Sequence, residues 1–190
     1  MFRDLVLANR SYRRFRESQS IDMDTLRSLI DLARCTPSAA NLQPLRYVLT
    51  NTPQRNAIVF STLAWAGYLS DWPGPITGER PSAYVVVLAD TRIAKNVGCD
   101  HGIAAQTILL GAAEHGLGGC MFGSIDRDKL RAELAIDDCY EILLVIALGK
   151  PVEQVVLEDL KPDGSIRYYR DASAVHHVPK RSLDDIILEN

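Results

Sequence analysis

Two runs of consecutive apolar residues constrain the fold of this chain more than any other feature. Residues 82–89 and 141–148 are aliphatic or β-branched at nearly every position, which is typical of strands buried on both faces of a sheet. Between them, residues 99–115 are apolar, rich in glycine and alanine, and end at Gly116, which predicts a long buried helix. The pattern therefore predicts an α+β domain whose central sheet of four or five strands lies around this helix.

The other elements fit a single domain spanning all 190 residues. A short helix over residues 2–9 precedes a second helix, which Asp22 or Asp24 can cap and which Pro37 stops. A strand over residues 46–51 follows, and another helix begins at Asp126. The small residues of the 99–115 helix permit close approach of another helix or of a second subunit.

Two less regular segments are expected to surround a site. Residues 53–81 carry Trp65, Tyr68 and Trp72 before a stretch rich in proline and glycine, which indicates a helix followed by a lid loop. The alternative is an ordinary surface loop with packed aromatic side chains. Residues 153–174 are polar, with residues 166–169 as the candidate for a short edge strand, and an amphipathic tail follows. We expect residues 153–190 to form an arm that wraps a second subunit.

Positive charge is concentrated near the beginning of the chain. Residues 1–20 contain five arginines against two acidic residues, a local net charge of +3, although the whole chain carries −3. Arg10, Ser11 and Arg13 share one short turn, and guanidinium groups form bidentate bonds with phosphate. Lys180 and Arg181 form a second cationic pair near the other end. The overall charge argues against bulk nucleic-acid binding, so the pattern predicts a phosphate-bearing cofactor held from both ends.

Two loops have compositions that suit a flat ligand. Residues 37–44 combine small side chains, the amides of Asn41 and Gln43, and two bracketing prolines, which predicts a rigid loop that a ligand can approach closely. Residues 116–123 are rich in glycine but lack both the Gly-x-Gly-x-x-Gly spacing and the lysine of a phosphate-binding P-loop. They favour a segment whose backbone N–H groups face a ligand, with a plain helix cap and turn as the alternative.

Several other chemistries find no support in the sequence. The four cysteines are widely spaced and predict free, mostly buried thiols in a reducing compartment. His101 and His115 lie about four turns apart on one helix, so they predict structural histidines with satisfied hydrogen bonds rather than a metal site. His176 and His177 lie next to a basic turn and are expected in an exposed tail, with contact to an anion as the alternative. No serine occupies a nucleophile elbow. Without a signal peptide or an apolar run of ~20 residues, we expect a cytoplasmic protein with no membrane partner.

Taken in order along the chain, these motifs resemble the FMN-dependent nitroreductase family. The family opens with two basic residues followed by Ser-x-Arg-x-Phe, which residues 10–15 match, with Asn9 where a first arginine is usual. Its Pro-Ser-x-x-Asn-x-Gln-Pro loop matches residues 37–44 without a gap. Asp100 before the small-residue helix, Gly-Leu-Gly at 116–118 and Pro-Lys-Arg at 179–181 match in the same order. The resemblance covers nearly the whole chain.

The resemblance implies a nitroreductase-like fold with a mostly antiparallel sheet, in an intertwined homodimer with two FMN molecules at the subunit interface. It places the pyrimidine edge of the flavin ring beside Arg13. It assigns the ribityl phosphate to Arg10, Ser11, Lys180 and Arg181. It brings three further residues from the partner subunit or to the flank of the ring, namely Ser38, Asn41 and Gln43. It directs toward flavin N5 the backbone of Cys120, Met121, Phe122 and Gly123.

The function implied is an FMN oxidoreductase that takes hydride from NADH or NADPH and passes electrons to a second small molecule in the same site. A flavin performs the hydride chemistry, so no acid–base triad is expected in the sequence. The few charges in the lid favour a flat acceptor, such as a quinone, a nitroaromatic or a free flavin, stacked on Trp65, Tyr68 or Trp72. Two alternatives stay open: an FMN-binding redox sensor or reservoir without efficient turnover, and a basic-patch module that binds RNA or acidic lipid.

Overall fold

A four-stranded sheet with helices on both faces forms the centre of this computed structural model, which describes residues 2–188. The strands follow the order β1-β2-β4-β3, and every neighbouring pair is antiparallel. They are β1 (Leu45–Thr50), β2 (Ala83–Asp90), β3 (Gly118–Phe122) and β4 (Tyr140–Gly149). The predicted α+β class and the antiparallel central sheet are confirmed.

Residues 2–188 contain five α-helices, and two of them begin at capping residues that the sequence indicates. Asp22 accepts a hydrogen bond from the backbone N–H of Thr25 at 2.6 Å, and Asp126 accepts one from Lys129 at 3.1 Å. Such caps satisfy backbone donors that a helix leaves unpaired at its first turn. The helices are α1 (Phe2–Ala8), α2 (Met23–Arg34), α3 (Pro53–Phe60), α4 (Asp100–Glu114) and α5 (Arg127–Leu134).

The continuous apolar run of β2 is explained by burial on both faces of the sheet. Val85 and Val87 point toward a core formed with α2 and α4, and the alternating residues Tyr84 and Val86 point toward a second core with α3 and α5. All eight residues of β2 are buried. The layer order is therefore helices, sheet, helices, with one face of α4 buried in the first core.

The small residues of α4 serve a contact within the chain. A Cβ added at Gly111 would lie 2.8 Å from the Leu32 side chain and 3.0 Å from Leu29, both on α2. A side chain at this position would push the two helices apart, so glycine permits their close packing.

The glycine-rich run contains a strand that the sequence did not predict. Residues 118–122 form β3 at the edge of the sheet, paired with β4 from Gly118↔Gly149 to Phe122↔Val145. Glycine has a low strand propensity, and here it is required by packing. A Cβ at Gly119 would stand 2.4 Å from the carbonyl oxygen of Ala147. Gly116, at φ 66°, follows the end of α4, so the cap alternative holds at that residue.

A second, three-stranded sheet replaces the largely irregular arm that the polar composition predicted. Its order is β5-β7-β6, with β5 and β7 parallel and β6 antiparallel to β7. The predicted edge strand at 166–169 overlaps the observed β6 by one residue. The strands are β5 (Val155–Asp159), β6 (Tyr169–Arg170) and β7 (His176–Lys180). Pairing between β5 and β7 joins residues 21 apart in sequence, so no local periodicity reveals it.

The tail beyond β7 is exposed. Residues 181–188 form a turn over 184–186 and no regular helix, and they leave large apolar side chains in contact with solvent. The most exposed are Leu183, Ile186, Ile187 and Leu188.

The exposure of the cysteines and the hydrogen bonding of the two α4-region histidines agree only in part with the sequence-based expectation. All four cysteines are free, but Cys35 and Cys99 are exposed and only Cys120 is buried, because the first two lie at helix ends. His115 Nδ1 lies 2.9 Å from the Gly111 carbonyl oxygen, while His101 Nδ1 is buried and has no hydrogen-bond partner among the described residues. Among residues 2–188, no helix has the length and apolar character needed to cross a bilayer.

Candidate functional site

Residues 9–15, which we call the arginine loop, are fixed by contacts to distant parts of the chain. The fully buried carboxylate of Glu153 accepts hydrogen bonds from the backbone N–H groups of Arg13 and Arg14. It also accepts one from the Arg170 guanidinium at 2.9 Å. At the end of the loop, Phe15 is fully buried in contact with Gly149, where an added Cβ would stand 2.8 Å from its ring. This anchoring sets the direction of each loop side chain.

The arginines of the loop have separate tasks. Arg14 turns away from the cleft described below and forms a bidentate ion pair with Glu79, with N–O distances of 2.6 and 2.5 Å. The hydrogen bond from Arg14 lowers the pKa of the Glu79 carboxyl. Because Glu79 belongs to the 53–81 segment, this pair ties the end of the lid to the arginine loop. Arg10 and Arg13 line the cleft instead.

A cleft of about 310 Å³ lies between the arginine loop, α4 and the second sheet. We call it the cationic cleft, because three cationic side chains line it together with hydroxyl and amide groups. Lys180 reaches it from β7, near the opposite end of the chain, while Arg181 is exposed and lies outside its lining. The polar lining consists of Asn9, Arg10, Ser11, Arg13, Gln106, Tyr168, His176 and Lys180.

The guanidinium of Arg13 is oriented by two aromatic residues of the second sheet region. Its Nη1 lies 3.2 Å from Nε2 of His176, and its Cζ lies 4.8 Å above the ring of Tyr168. Burial, together with the charges of Arg13 and Arg170, lowers the pKa of His176 to about 4. The imidazole is therefore neutral at physiological pH, so Nε2 accepts from Arg13 and Nδ1 carries the proton. That Nδ1 is buried and has no partner among the described residues.

A smaller cleft of about 130 Å³ follows the outer edge of β3. We call it the β3-edge cleft, and it shares Arg13, Met121 and Tyr168 with the cationic cleft. Among residues 2–188, the outer edge of β3 is bridged only at Gly119, by Ser11. Edge strands present unpaired backbone N–H and C=O groups. The β3-edge cleft therefore offers backbone hydrogen bonds beside a fixed cation. The stretch that lines it includes Cys120, Met121, Phe122 and Gly123.

The 37–44 loop is ordered but lies apart from both clefts. Asp100, buried at the start of α4, accepts hydrogen bonds from the Ser38 hydroxyl at 2.6 Å and the Ala39 N–H at 3.0 Å. Gln43 donates to the Asn41 side chain at 3.1 Å and to its backbone carbonyl. Ser38 and Gln43 line a different cleft, of about 520 Å³. One chain therefore does not bring these residues to Arg10 and Arg13.

This loop stores backbone strain. Ala40, Asn41 and Gln43 all adopt positive φ angles, of 49°, 56° and 52°. Residues other than glycine rarely adopt this conformation, and clusters of such residues occur mainly at functional sites. Ala40, Asn41 and Gln43 are also exposed. The strain and exposure together point to a preformed contact surface.

Two of the three lid aromatic residues, Trp65 and Trp72, pack against other side chains of the protein, and not on an open site as predicted. The Trp65 ring lies 4.6 Å from Phe122 and belongs to the core, so it is not free to stack on a ligand. Trp72 is covered by the Arg170 guanidinium at 4.2 Å. Tyr68 contacts the ring of Tyr168, which lines the β3-edge cleft, at 4.9 Å and is itself 40% exposed.

Sequence reasoning missed four residues of this site. Glu153 carries no local signal, because its partners lie 139 and 140 positions away. His176, expected in an exposed tail, is 1% exposed. Tyr168 was assigned only to an edge strand. Asn9 lines the cleft and donates to Gln106 at 3.4 Å, which gives a polar role to the position where a basic residue is usual.

Comparison with known protein families shows to which family this chain is related. A model of the nitroreductase family matches residues 6–150, more than three quarters of the chain. The chain belongs to the nitroreductase family. This nitroreductase family member is also similar to solved structures over most of its length. A nitroreductase family protein from Streptococcus pneumoniae TIGR4 matches with a TM-score of 0.71 and 19% identity, covering 100% of both chains.

Two further solved structures show the same fold at low sequence identity. CLA-ER, an enone reductase of gut-bacterial fatty acid saturation metabolism, matches with a TM-score of 0.69 and 22% identity, covering 85% of this chain and 93% of its own. A nitroreductase-type protein from Exiguobacterium sibiricum, solved in complex with FMN, matches with a TM-score of 0.68 and 16% identity. The match covers 80% of this chain and 89% of that protein.

The residues of the two joined clefts fit FMN. Arg10, Ser11 and Lys180 line only the cationic cleft and supply charged and neutral donors for a phosphate. The β3-edge cleft supplies backbone groups for a flat polar ring, and Arg13 lies where the two clefts meet. A ligand with a phosphate at one end and a hydrogen-bonding ring at the other would complement this set of donors.

Proposed function

We propose that this protein is an FMN-dependent oxidoreductase that takes hydride from NADH or NADPH and reduces a small planar acceptor. The observation that carries the proposal is the meeting of the cationic cleft and the β3-edge cleft at Arg13. FMN, when bound, supplies the hydride chemistry, so the chain provides binding, orientation and electrostatics. No acid–base triad is required of the protein.

Arg10, Ser11 and Lys180 would hold the phosphate in the cationic cleft. Arg10 already uses Nε and one Nη to bind the carbonyl oxygens of Asn9 and Val6, at 2.6 and 2.8 Å. Those two bonds fix the guanidinium and leave further donors of its five for a ligand. Arg181 would add a contact only if the exposed tail moves toward the cleft.

Arg13 would sit beside the pyrimidine edge of the flavin ring. A fixed cation there stabilises the negative charge of the reduced form and favours reduction. Glu153 holds the Arg13 backbone, and His176 and Tyr168 hold its guanidinium. The neutral state of His176 matters, because an imidazolium would repel Arg13. The backbone of residues 120–123 would donate toward flavin N5.

The complete site would require a homodimer. Ser38, Asn41 and Gln43 lie outside both clefts of their own chain, on an exposed and strained loop, which suits a contribution to the partner's site. The exposed apolar side chains of residues 183–188 offer a surface that a second subunit would cover. Residues 153–180 contact their own chain through Glu153 and Tyr168, so within the described residues the wrapping segment would be 181–188 rather than the whole arm.

Reduction would follow a ping-pong course. The β3-edge cleft is small and bordered by Tyr168, so a nicotinamide and a second flat molecule cannot stack on one ring face together. A quinone, a nitroaromatic or a free flavin suits such a space. Parallel lines in double-reciprocal plots are expected, and intersecting lines would contradict a shared site.

A flavin reservoir or redox sensor without efficient turnover is the second candidate. The inward packing of Trp65 and Trp72 favours it, because these contacts occupy two lid aromatic rings that would otherwise stack on an acceptor. The visible absorption spectrum of freshly purified protein tests flavin binding for both candidates, and a colourless protein that does not take up FMN would contradict both. Steady-state NAD(P)H oxidation with menadione or a nitroaromatic then separates the enzyme from the reservoir.

A further inference from the structure

Three polar atoms without hydrogen-bond partners belong to residues that line a cleft outside the cofactor site. They are Arg80 Nε, Ser82 Oγ and Tyr84 Oη, each buried and unpartnered among the described residues. Ser82 is 6% exposed and Tyr84 is fully buried. Tyr84 lies at the start of β2, Arg80 and Ser82 precede the strand, and all three residues line the same cleft.

The cleft has a volume of about 450 Å³ and shares no lining residue with the cationic or β3-edge clefts. We call it the Tyr84 cleft. Its lining includes the three residues with unpartnered groups and an apolar part from α3, with Pro53, Ala57 and Phe60. The Arg80 guanidinium lies 4.4 Å above the Phe60 ring, so the only cation of the lining packs against this apolar part.

The remaining amides near the cleft are already satisfied within the protein. Asn56 donates to the Ser82 carbonyl oxygen at 2.8 Å and accepts from Thr50 at 2.8 Å. Asn51 donates to the Ile21 carbonyl oxygen at 3.1 Å. The three groups left without partners, on Arg80, Ser82 and Tyr84, can all donate a hydrogen bond. Burial raises the pKa of Tyr84, so its hydroxyl stays protonated and remains a donor.

Buried donors without partners carry a free-energy penalty, and native proteins retain few of them. Three among the residues that line one cleft indicate a ligand that accepts hydrogen bonds. Glu17 also lines the cleft, and its carboxylate accepts from the backbone N–H of Gly78. One cation facing one anion disfavours a doubly charged ligand such as phosphate, because the second negative charge would be unpaired beside Glu17.

We infer that the Tyr84 cleft binds a small organic acid, whose carboxylate accepts hydrogen bonds from Arg80, Ser82 and Tyr84 and whose apolar part lies against α3. A carboxylate offers about four lone-pair sites, which is enough for these three donors. The site is separate from the flavin chemistry and stands whether or not the proposed function is correct.

Butyrate is a suitable probe, with butyramide as a neutral control of the same shape and inorganic phosphate as the dianion. The full-length protein as purified should gain thermal stability with increasing butyrate and gain little with butyramide or phosphate. Ser82→Ala and Tyr84→Phe should each weaken butyrate binding at least about tenfold, because each removes one hydrogen bond to a charged group. The visible spectrum of any bound flavin should not change, and Arg13→Ala should leave butyrate binding unaltered.

Tyr84→Phe should also change the melting temperature of the ligand-free protein. The direction of that change distinguishes a ligand-binding hydroxyl from one that stabilises the fold. Removing an unpartnered buried hydroxyl should raise the melting temperature of the ligand-free protein. Tyr140→Phe is the matched control: the Tyr140 hydroxyl accepts from Arg92 at 3.2 Å outside the cleft, so its loss should lower the melting temperature and leave butyrate binding intact. The inference is overturned if butyrate does not bind, if Ser82→Ala and Tyr84→Phe bind it as wild type does, or if Tyr84→Phe is destabilised without ligand.

Discussion

The buried carboxylate of Glu153 accepts a hydrogen bond from the backbone N–H of Arg13, 140 positions earlier in the chain. The same carboxylate pairs with Arg170, so one side chain joins the arginine loop to the second sheet. Breaking a buried ion pair from one side leaves an uncompensated charge. The position of Arg13 therefore depends on a residue outside the region that the family model matches.

Replacing Glu153 should affect both stability and cofactor binding. Glu153→Ala should lower the free energy of unfolding by about 3–5 kcal/mol, because Arg170 and two backbone N–H groups lose their acceptor. Glu153→Gln keeps an acceptor oxygen and should cost less. Urea denaturation measures both, with Glu133→Ala on the exposed face of α5 as a control within about 0.5 kcal/mol of wild type. If Glu153→Ala left the free energy of unfolding unchanged, other contacts would have to hold the arginine loop in place.

Loss of Lys180 should weaken FMN binding by at least about tenfold, since a hydrogen bond to a charged group contributes roughly 1.5–3 kcal/mol. Arg181→Ala should have a smaller effect, because Arg181 is exposed and outside the cationic cleft. Riboflavin, which lacks the phosphate, should bind poorly to wild type. Fluorescence titration of apoprotein gives these affinities, and equal affinity for FMN and riboflavin would contradict a phosphate site.

Arg13 should influence the reduction potential and not only affinity. Arg13→Ala should lower the midpoint potential of bound FMN, and Arg13→Lys should restore part of it, because an ammonium lacks the planar fork. A loss of ~1.4 kcal/mol in differential stabilisation corresponds to about 30 mV for this two-electron couple. Potentiometric titration of FMN-saturated proteins measures the shift. Weaker binding at an unchanged potential would leave Arg13 as an anchor without a redox role.

His176 should make stability depend on pH. Its pKa is lowered to about 4 in the folded state, so the unfolded chain binds the proton more readily between about pH 4 and 6.5. Its contribution is present above pH 6.5 and is lost as pH falls toward 4, by up to about 3 kcal/mol. The stability difference between wild type and His176→Asn should therefore shrink on acidification.

His177→Asn serves as the control with the opposite sign. Hydrogen bonds to Asp171 and Glu158 raise the pKa of His177, so its contribution is present below pH 6.5 and is lost as pH rises through the raised value. The stability difference between wild type and His177→Asn should grow on acidification. Parallel pH profiles for the two variants would show that the ion pairs of His177, and not burial of His176, dominate this region.

A mixing experiment tests whether each site combines two subunits. Asn41→Ala/Gln43→Ala damages the 37–44 loop, and Arg13→Ala/Lys180→Ala damages the clefts. Each variant alone should be inactive. Unfolding and refolding an equal mixture should restore about a quarter of the wild-type activity, because half of the dimers are mixed and each has one intact site. No recovery, or a folded FMN-loaded monomer in sedimentation, would contradict the shared site.

The parts of this structure that could be predicted are those with a local signal. The apolar runs of β2 and β4, the helix from Asp100 and the caps at Asp22 and Asp126 lie within a residue or two of expectation. Each depends on neighbouring residues in the sequence. The motif order also identified the residues that line the cationic cleft from both ends of the chain, Arg10 and Lys180.

The parts that could not be predicted depend on distant partners. β3 begins with two glycines, and at Gly119 the need for a small residue comes from the distant Ala147 and Leu109. β5 pairs with β7, which follows it only after an intervening segment. Residues 153–174 are hydrophilic, so their composition gives no sign that they contribute strands to the second sheet. His176 resembles a tail residue in sequence and is buried only because the second sheet places it under Arg13.

The open outer edge of β3 also has a consequence for solubility. An uncovered strand edge is a template on which another chain can extend the sheet, and here the edge carries Met121, which is 37% exposed. A ring seated against residues 121–123 would occupy those backbone groups and block such intermolecular pairing. Cofactor supply would then protect newly made protein from aggregation, and FMN-starved preparations should form β-rich precipitates sooner than FMN-saturated ones under gentle heating.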